Sequence, residues 1–388
     1  MATTVLVGTT KGLFLVGSED GRASWTVRGP FCGGWPINHA IGDPDSGMIW
    51  AGGGSDWHGA GVWRSADDGE TWEQAGLTLG QIDDWAAQDA EFAAMIGWTG
   101  AEKPFGREFS QVWSLCHAHG VLHVGTKPAT LLASRDGGVS FARVEGLSDH
   151  PSRPDWVAGA AGLVLHSIVP DPADPRKLWV AISAAGVFAT EDGGETFERR
   201  NRLSNAAAHH HHDHPAAPRG GETGHCVHNM VRAPGAGPSD GGADVLYQQN
   251  HHGVFRSGDG GRSWDDMTEG LPSAFGFPIA VHPRDPGRIW TLPLNGDMEG
   301  RYPPDAAAAV WTSGDGGRTW EARREGLPQT ACFFSVLRQA MAADTADPAG
   351  VYFGTNSGSV FASTDEGGTW SEIARHLPTV LSVEVVTR

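Results

Sequence analysis

The sequence predicts an all-β protein, a seven-bladed β-propeller. Two observations support this fold class. A short motif, Ser-x-Asp-x-Gly-x-Ser/Thr-Trp/Phe, recurs along the 388 residues, and most copies follow three segments with strand pattern. The composition agrees, because 55 glycines and 16 tryptophans accompany frequent turn dipeptides, while long helical periodicity is scarce.

Each copy of the motif, which we name the box turn, predicts a stapled β-hairpin turn. The Asp carboxylate and the hydroxyls bond within the turn, glycine supplies a positive φ, and the aromatic side chain is buried behind it. A worn seventh copy, SEDGRASW (18–25), lacks glycine at its usual place. The six good copies are SADDGETW (65–72), SRDGGVSF (134–141), TEDGGETF (190–197), SGDGGRSW (257–264), SGDGGRTW (313–320) and STDEGGTW (363–370).

The termini predict how the ring closes. Six units are complete, the N-terminus supplies three strands without a first strand, and LSVEVVT (381–387) supplies a first strand alone. Together these fragments make a seventh blade, and circular closure protects the sheet edges. The predicted blades of this single domain span about 1–25 with 379–388, 36–72, 110–141, 163–197, 225–264, 276–320 and 332–370.

The box turns carry a family resemblance over essentially the whole chain. They resemble those of the Asp-box (BNR) propellers, a superfamily that includes sialidases, sortilin-like receptors, xyloglucanases and photosystem assembly factors. The sequence is most similar to uncharacterised bacterial BNR-repeat proteins described as sialidase-like or glycosyl hydrolase. The resemblance implies the fold and says little about activity, because one fold hosts many chemistries.

Charge and cysteine usage exclude several classes of partner. A formal charge of −18 argues against nucleic acid and anionic membranes, which attract positive surfaces. No apolar run is long enough for a bilayer span, and the first residues read as strands rather than a signal peptide. Four scattered cysteines indicate free thiols. We expect a cytoplasmic protein; the sequence does not define its oligomeric state.

One face of the propeller is expected to carry the site. Asp-Pro turns and box turns fall on one face, and both are uniform. The opposite face, which we name the funnel face, receives the long irregular loops at residues 73–110, 142–162, 198–224 and 294–309. Long loops on a rigid scaffold are the usual place for function.

Histidines in the first strands predict a metal site. When these strands are aligned on their Asp-Pro turns, His39, His166 and His228 fall at nearly the same place, and His251 follows from a funnel-face loop. Three imidazoles with an open position are typical of a catalytic divalent transition metal such as Zn, Cu, Mn or Fe. The alternative is a ring of polar channel residues holding water.

Other candidates complete the predicted site. Glu222 is a candidate general base, with a solvated loop acid as the alternative. Arg338, in a first strand, either pairs with a neighbouring acid or holds a substrate carboxylate. Cys226 alternates onto the same strand face as His228, which allows ligation, although a small buried apolar role is favoured. Candidates for binding an anionic substrate are Lys11, Lys127, Arg107 and Arg301.

Three functions follow from these candidates. The first is a metal-dependent hydrolase or lyase acting on a small, anionic molecule in the funnel. The second is a glycoside hydrolase of the sialidase kind, disfavoured because an Arg-Ile-Pro motif is absent and only Tyr302 of three tyrosines lies in a funnel-face loop. The third is a non-enzymatic scaffold for a protein or peptide. The run AHHHHDHP (208–215) is interpreted as a loop that binds metal adventitiously.

Overall fold

The protein forms seven four-stranded antiparallel sheets, seen in a computed structural model that describes residues 2–204, 221–235 and 243–388. The histidine run at 208–215 lies outside these residues. From the channel outwards, the strands are β28 (Val380–Thr387), β1 (Thr3–Thr9), β2 (Gly12–Ser18) and β3 (Thr26–Phe31) in blade 1; β4 (Ile37–Gly42), β5 (Ile49–Ser55), β6 (Gly59–Ser65) and β7 (Glu73–Gly76) in blade 2; β8 (Gln111–Ala118), β9 (Val121–Lys127), β10 (Leu131–Ser134) and β11 (Ala142–Arg143) in blade 3; and β12 (Val164–Pro170), β13 (Leu178–Ser183), β14 (Gly186–Thr190) and β15 (Glu198–Arg199) in blade 4.

The remaining blades repeat this order. Their strands are β16 (Val227–Arg232), β17 (Leu246–Asn250), β18 (Gly253–Ser257) and β19 (Asp265–Asp266) in blade 5; β20 (Gly276–Val281), β21 (Ile289–Pro293), β22 (Val310–Ser313) and β23 (Glu321–Arg323) in blade 6; and β24 (Met341–Ala343), β25 (Val351–Gly354), β26 (Val360–Ser363) and β27 (Ser371–Ala374) in blade 7.

The first strands close a ring around the central channel. Each of β28, β4, β8, β12, β16, β20 and β24 contacts the next, and β24 contacts β28 again. In blade 1, β1 pairs with β28, so that Thr3 lies opposite Thr387. The prediction of a seven-bladed β-propeller sealed by strands from both termini is confirmed.

The box turns have the expected bonds. In blade 5, Ser257 Oγ donates to Asp259 Oδ1 at 2.8 Å, and Ser263 Oγ donates to Asp259 Oδ2 at 2.7 Å. In the worn copy, Arg22 occupies the glycine position with a φ of 72°. Its guanidinium bonds Asp344 in blade 7 at 3.1 Å, a contact that offsets part of the cost of the left-handed backbone.

The box turns also join neighbouring blades. Three second-strand tryptophans, all nearly inaccessible, donate their indole N–H to box-turn carbonyls of the next blade. Trp50 reaches Gly137, Trp179 reaches Gly260 and Trp290 reaches Glu366, at 2.9–3.1 Å. These hydrogen bonds therefore join neighbouring blades on the face opposite the funnel face.

Short helices occur in the long connections. Within the described ranges, the helices are α1 (Gln81–Gln88), α2 (Ala90–Met95) and α3 (Glu145–Ser148), with 3₁₀ turns at Cys32–Gly34, Arg153–Asp155, Asp297–Glu299 and Pro304–Ala306. Among the described residues, no helix has both the length and the apolar character that crossing a membrane requires.

Candidate functional site

A β-bulge near the start of several first strands positions the candidate site. In blades 2 to 5, one residue of the first strand has no partner in the second strand. In blade 6, two residues of the first strand lie opposite one residue of the second. A bulge leaves a residue unpaired and re-aims its side chain. The bulged residues, which we name the bulge belt, are Asn38, Trp113, His166, His228 and Phe277.

The positions of the bulges show that the three predicted first-strand histidines are not equivalent residues. His166 and His228 are both bulged, but the matching residue of blade 2 is Asn38, and His39 follows it. A shift of one residue turns a side chain to the other face of a strand. His39 Nδ1 accepts from the backbone N–H of Leu115 at 2.9 Å, and its Nε2 lies 3.3 Å from Glu384. The predicted convergence of His39 with the other histidines is therefore wrong.

His166 is fully buried, and neither ring nitrogen has a hydrogen-bond partner in the described part of the chain. Its ring meets the Trp113 ring edge-on at 5.9 Å. Burial, together with the nearby Arg338, holds the pKa of His166 well below its usual value. His166 is a neutral imidazole at physiological pH.

His228 and His251 instead group with Cys226. Ligand atoms of these three residues all lie within 4.8 Å of one another. Cys226 Sγ is 3.6 Å from His228 Nε2, and the two histidine rings are 5.5 Å apart. Two of the four predicted metal ligands are thus brought together with the Cys226 thiol, for which the sequence allowed ligation but favoured a small buried apolar role.

The group lies beside a cavity of about 140 Å³ at the funnel end of the channel, which we name the funnel cavity. Arg338 packs over the Phe277 ring at 4.7 Å, and no described carboxylate forms an ion pair with it. Burial lowers the pKa of Arg338 to about 10, so that it stays charged near neutrality. The lining residues are Gly159, Ala160, Ala161, Cys226, His228, His251, Phe275, Phe277, Asp297, Arg301 and Arg338.

The loop of residues 294–309 supplies two polar groups of the funnel cavity. Arg301 adopts a left-handed backbone with a φ of 56°, an arrangement that non-glycine residues keep where the surroundings impose it. Its guanidinium is 4.0 Å from Asp297, and Asp297 Oδ2 is 3.9 Å from His251 Nε2. The sequence placed this loop on the funnel face, but nothing in its pattern identified Asp297.

The other predicted site residues are dispersed. Glu222 Oε2 lies 2.9 Å from His225 Nε2, outside the funnel cavity lining. Lys127 lies over the Trp113 ring at 5.7 Å, beside the bulge belt. Arg107 pairs with Asp84 at the end of a long loop, and Lys11 is exposed in the β1–β2 turn.

Two exposed aromatic groups stand on the funnel face. In blade 2, Trp85 is 61 % exposed and meets Trp57 and Phe92 edge-on at 5.6 and 6.3 Å. Between blades 6 and 7, Phe333 is 65 % exposed and contacts Tyr302 at 5.1 Å. Exposed aromatic faces supported by neighbouring rings are suited to binding a ligand.

Comparison with known proteins finds one curated relative and several similar folds. No family model matches the chain. An alignment of 216 residues, which covers 52 % of this chain, is 23 % identical to an oligoxyloglucan-reducing end-specific xyloglucanase of Emericella nidulans and covers 25 % of that protein. The GH74 xyloglucanase from Xanthomonas campestris has a similar fold, with a TM-score of 0.60, 17 % identity, and coverage of 96 % of this chain and 52 % of that one.

A further similar fold is YCF48 bound to D1 peptide, with a TM-score of 0.52, 15 % identity, and coverage of 87 % of this chain and 82 % of that one. Such identities establish the propeller fold alone. The expectation of a metal-dependent enzyme acting on a small anionic molecule is wrong, because the matched proteins include xyloglucanases, which are glycoside hydrolases. The chain spans about a quarter of the curated relative and half of the Xanthomonas enzyme.

Proposed function

We propose that this protein is a glycoside hydrolase that acts on a polysaccharide or its oligosaccharides at the funnel face. The observation that carries the proposal is the 216-residue match to a xyloglucanase, because it is a similarity of sequence and not of fold alone. Within the same proposal, the box turns support a place among the Asp-box propellers.

The funnel cavity is too small to hold a whole small ligand. Pockets for whole small ligands usually measure about 300–1,000 Å³, whereas the funnel cavity measures about 140 Å³. A polymer would therefore lie across the open face, against the ring systems at Trp85 and at Phe333, and extend one substituent towards the cavity.

Hydrolysis of a glycosidic bond by the common route needs two carboxyl groups, one acting as acid and the other as nucleophile or base. Asp297 is the one carboxylate lining the funnel cavity among the described residues. Glu222 is the second candidate, held by its contact with His225. Arg338, charged and without a described carboxylate partner, would bind a polar substituent of the sugar.

The test is release of reducing ends from xyloglucan and its oligosaccharides by the purified protein. We expect turnover by the wild type, and a fall in kcat of at least about 100-fold in Asp297→Asn and in Glu222→Gln, the range for loss of a general acid or base. Glu299→Gln is the matched control, because Glu299 is an exposed acid two residues from Asp297 and should stay within about twofold.

Two results would contradict the proposal. One is the absence of reducing ends from these glycans and from a panel of other plant and bacterial polysaccharides. The other is full activity in both carboxylate variants, which would leave hydrolysis without its proposed groups. Binding of peptides without any glycan turnover would favour the scaffold function instead.

A further inference from the structure

Cys226, His228 and His251 form the one group of three among the described residues whose nitrogen, sulfur or carboxylate ligand atoms approach closely enough for a shared metal ion. The three come from two parts of blade 5: Cys226 and His228 flank the start of β16, and His251 lies in the turn after β17. The bulge brings the His228 ring towards this turn.

The hydrogen bonds of His228 leave one nitrogen available. Its Nδ1 lies 2.6 Å from the carbonyl oxygen of Gly276, and a carbonyl accepts only from a protonated nitrogen. Nε2 therefore carries the lone pair and faces Cys226 Sγ. Metal-binding histidines almost always have such a backbone or carboxylate partner for the second nitrogen. Burial also keeps the pKa of His228 well below its usual value, so the ring is neutral.

The distances suit a tetrahedral ion. Bonds of about 2.0–2.3 Å and tetrahedral angles place neighbouring ligand atoms about 3.3–3.8 Å apart. Cys226 Sγ and His228 Nε2 already lie 3.6 Å apart, and all three ligand atoms lie within 4.8 Å. A shift of about 1 Å in the His251 ring, which is on the cavity side and 14 % exposed, would complete the geometry.

A thiol hydrogen bond accounts for part of this arrangement. Cys226 Sγ is also 3.1 Å from Ser183 Oγ, so the thiol could donate to His228 and accept from Ser183 without an ion. That network does not require the third ligand atom of His251 to face the same point. All three residues also line the funnel cavity, which leaves a bound ion room for one further ligand, as in metal sites that keep an open coordination place.

We propose that Cys226, His228 and His251 bind one divalent transition ion of the zinc type, with a fourth place open to the funnel cavity. Mixed sulfur and imidazole ligands favour such ions over Mg²⁺ or Ca²⁺. A dication with one thiolate and two neutral imidazoles retains one positive charge, and the carboxylate of Asp297, 3.9 Å from His251 Nε2, lies close enough to offset part of it. The site goes beyond the proposed hydrolase function, and ion binding is measured without glycan turnover.

Binding should release a proton. Burial raises the pKa of the Cys226 thiol, and an ion must replace that proton to gain a thiolate ligand.

The test uses Co²⁺ as a spectroscopic probe and Zn²⁺ in calorimetry, on untagged protein. The five histidines of the run at 208–215 are replaced by serine in the background variant, because poly-histidine binds metal on its own. We expect one equivalent of Co²⁺, with a thiolate-to-cobalt charge-transfer band and the intense visible bands of a tetrahedral site. Zn²⁺ should displace it.

Three substitutions distinguish the site from adventitious binding. Cys226→Ser should abolish the charge-transfer band, and His251→Ala should weaken Co²⁺ binding at least about tenfold. Cys332→Ser, another buried thiol, and His376→Asn, an exposed histidine, should leave both unchanged. Circular dichroism checks that each variant is folded.

Absence of the band in the folded background variant, or its persistence in Cys226→Ser, overturns the proposal. Because the readout is ion binding and not turnover, it fails or succeeds independently of glycan hydrolysis. Hydrolysis without cobalt binding would remove the metal site and leave the proposed function intact.

Discussion

Gln339 Nε2 donates to the carbonyl oxygen of His166 at 2.9 Å, a bond that crosses the central channel from blade 7 to blade 4. Asn229 in blade 5 makes a similar crossing to the carbonyl of Arg338 at 2.8 Å. These bridges lie between the funnel cavity and a larger cavity of about 440 Å³ at the Asp-Pro turn end. Arg338 and His228 line the cavity on the funnel side of these bridges, and His39 lines the cavity on the side of the Asp-Pro turns.

The first prediction concerns this bridge. Gln339→Met keeps the length of the side chain but removes the donor, leaving the His166 carbonyl without it in a buried position. We expect a loss of about 1–3 kcal/mol in the free energy of unfolding, the usual cost of an orphaned buried polar group. Urea denaturation measures it. Gln88 is exposed in α1, so Gln88→Met should change the free energy of unfolding by less than about 0.5 kcal/mol. A loss equal to that of Gln339→Met would contradict the prediction.

The second prediction contrasts two buried histidines of the bulge belt. His166 has no described hydrogen-bond partner, so His166→Leu should be neutral or stabilising, since an apolar replacement removes an unsatisfied polar group. His228→Leu orphans the Gly276 carbonyl and should cost about 1–3 kcal/mol. Unfolding is measured in the presence of a chelator, so that metal binding does not contribute. Equal destabilisation by both substitutions would contradict this contrast.

The third prediction is the pH dependence set by the same residues. The folded-state pKa values of His166 and His228 lie well below the ordinary value of about 6.5, which both regain on unfolding. Stability is therefore fully present above about pH 6.5 and falls as the pH drops below it, by up to about 1.4 kcal/mol per pH unit for each histidine. Denaturation at several pH values measures the slope, which His166→Leu should reduce and His376→Asn should not.

The fourth prediction concerns the box turns at acid pH. Hydrogen bonds from Thr319 and Ser313 lower the pKa of Asp315 to about 2. A depressed carboxyl pKa stabilises the fold above the unfolded value of about 3.9, and this contribution is lost as the pH falls towards about 2. The Tm of Asp315→Asn should lie below the wild type at neutral pH and converge with it near pH 2. Asp155→Asn, an exposed aspartate outside any box turn, should match the wild type throughout.

The blade count was predictable because its signal is local. Each box turn encodes its own bonds between residues two and four apart, such as Ser257 with Asp259 and Asp259 with Ser263. The number of copies then indicates the number of blades, and the ring closes through the pairing of β1 with β28. Even the worn copy keeps its geometry, with Arg22 taking the left-handed position.

The site was less predictable because it depends on single-residue shifts and on contacts between distant segments. His166 stands five residues before Asp171 but His39 stands four residues before Asp43, and a difference of one residue changes the face of the strand, so Asn38 is the residue equivalent to His166. Asp297 reaches His251 only through the path of a long loop. Turn chemistry and strand periodicity carry no information on such a path.

The last prediction tests the funnel face as the glycan-binding surface. Trp85 and Phe333 are exposed, so Trp85→Ala and Phe333→Ala should change stability by less than about 0.5 kcal/mol. Each substitution should nevertheless weaken binding to xyloglucan about tenfold, because a large aromatic contact is worth about 1–2 kcal/mol. Affinity electrophoresis through gels containing the polysaccharide measures this. Val139→Ala is the matched control, since Val139 is 56 % exposed but lies in a box turn on the opposite face. If Val139→Ala weakened binding as much as the aromatic substitutions, the glycan would lie on the box-turn face, and the proposed position of the site would be lost.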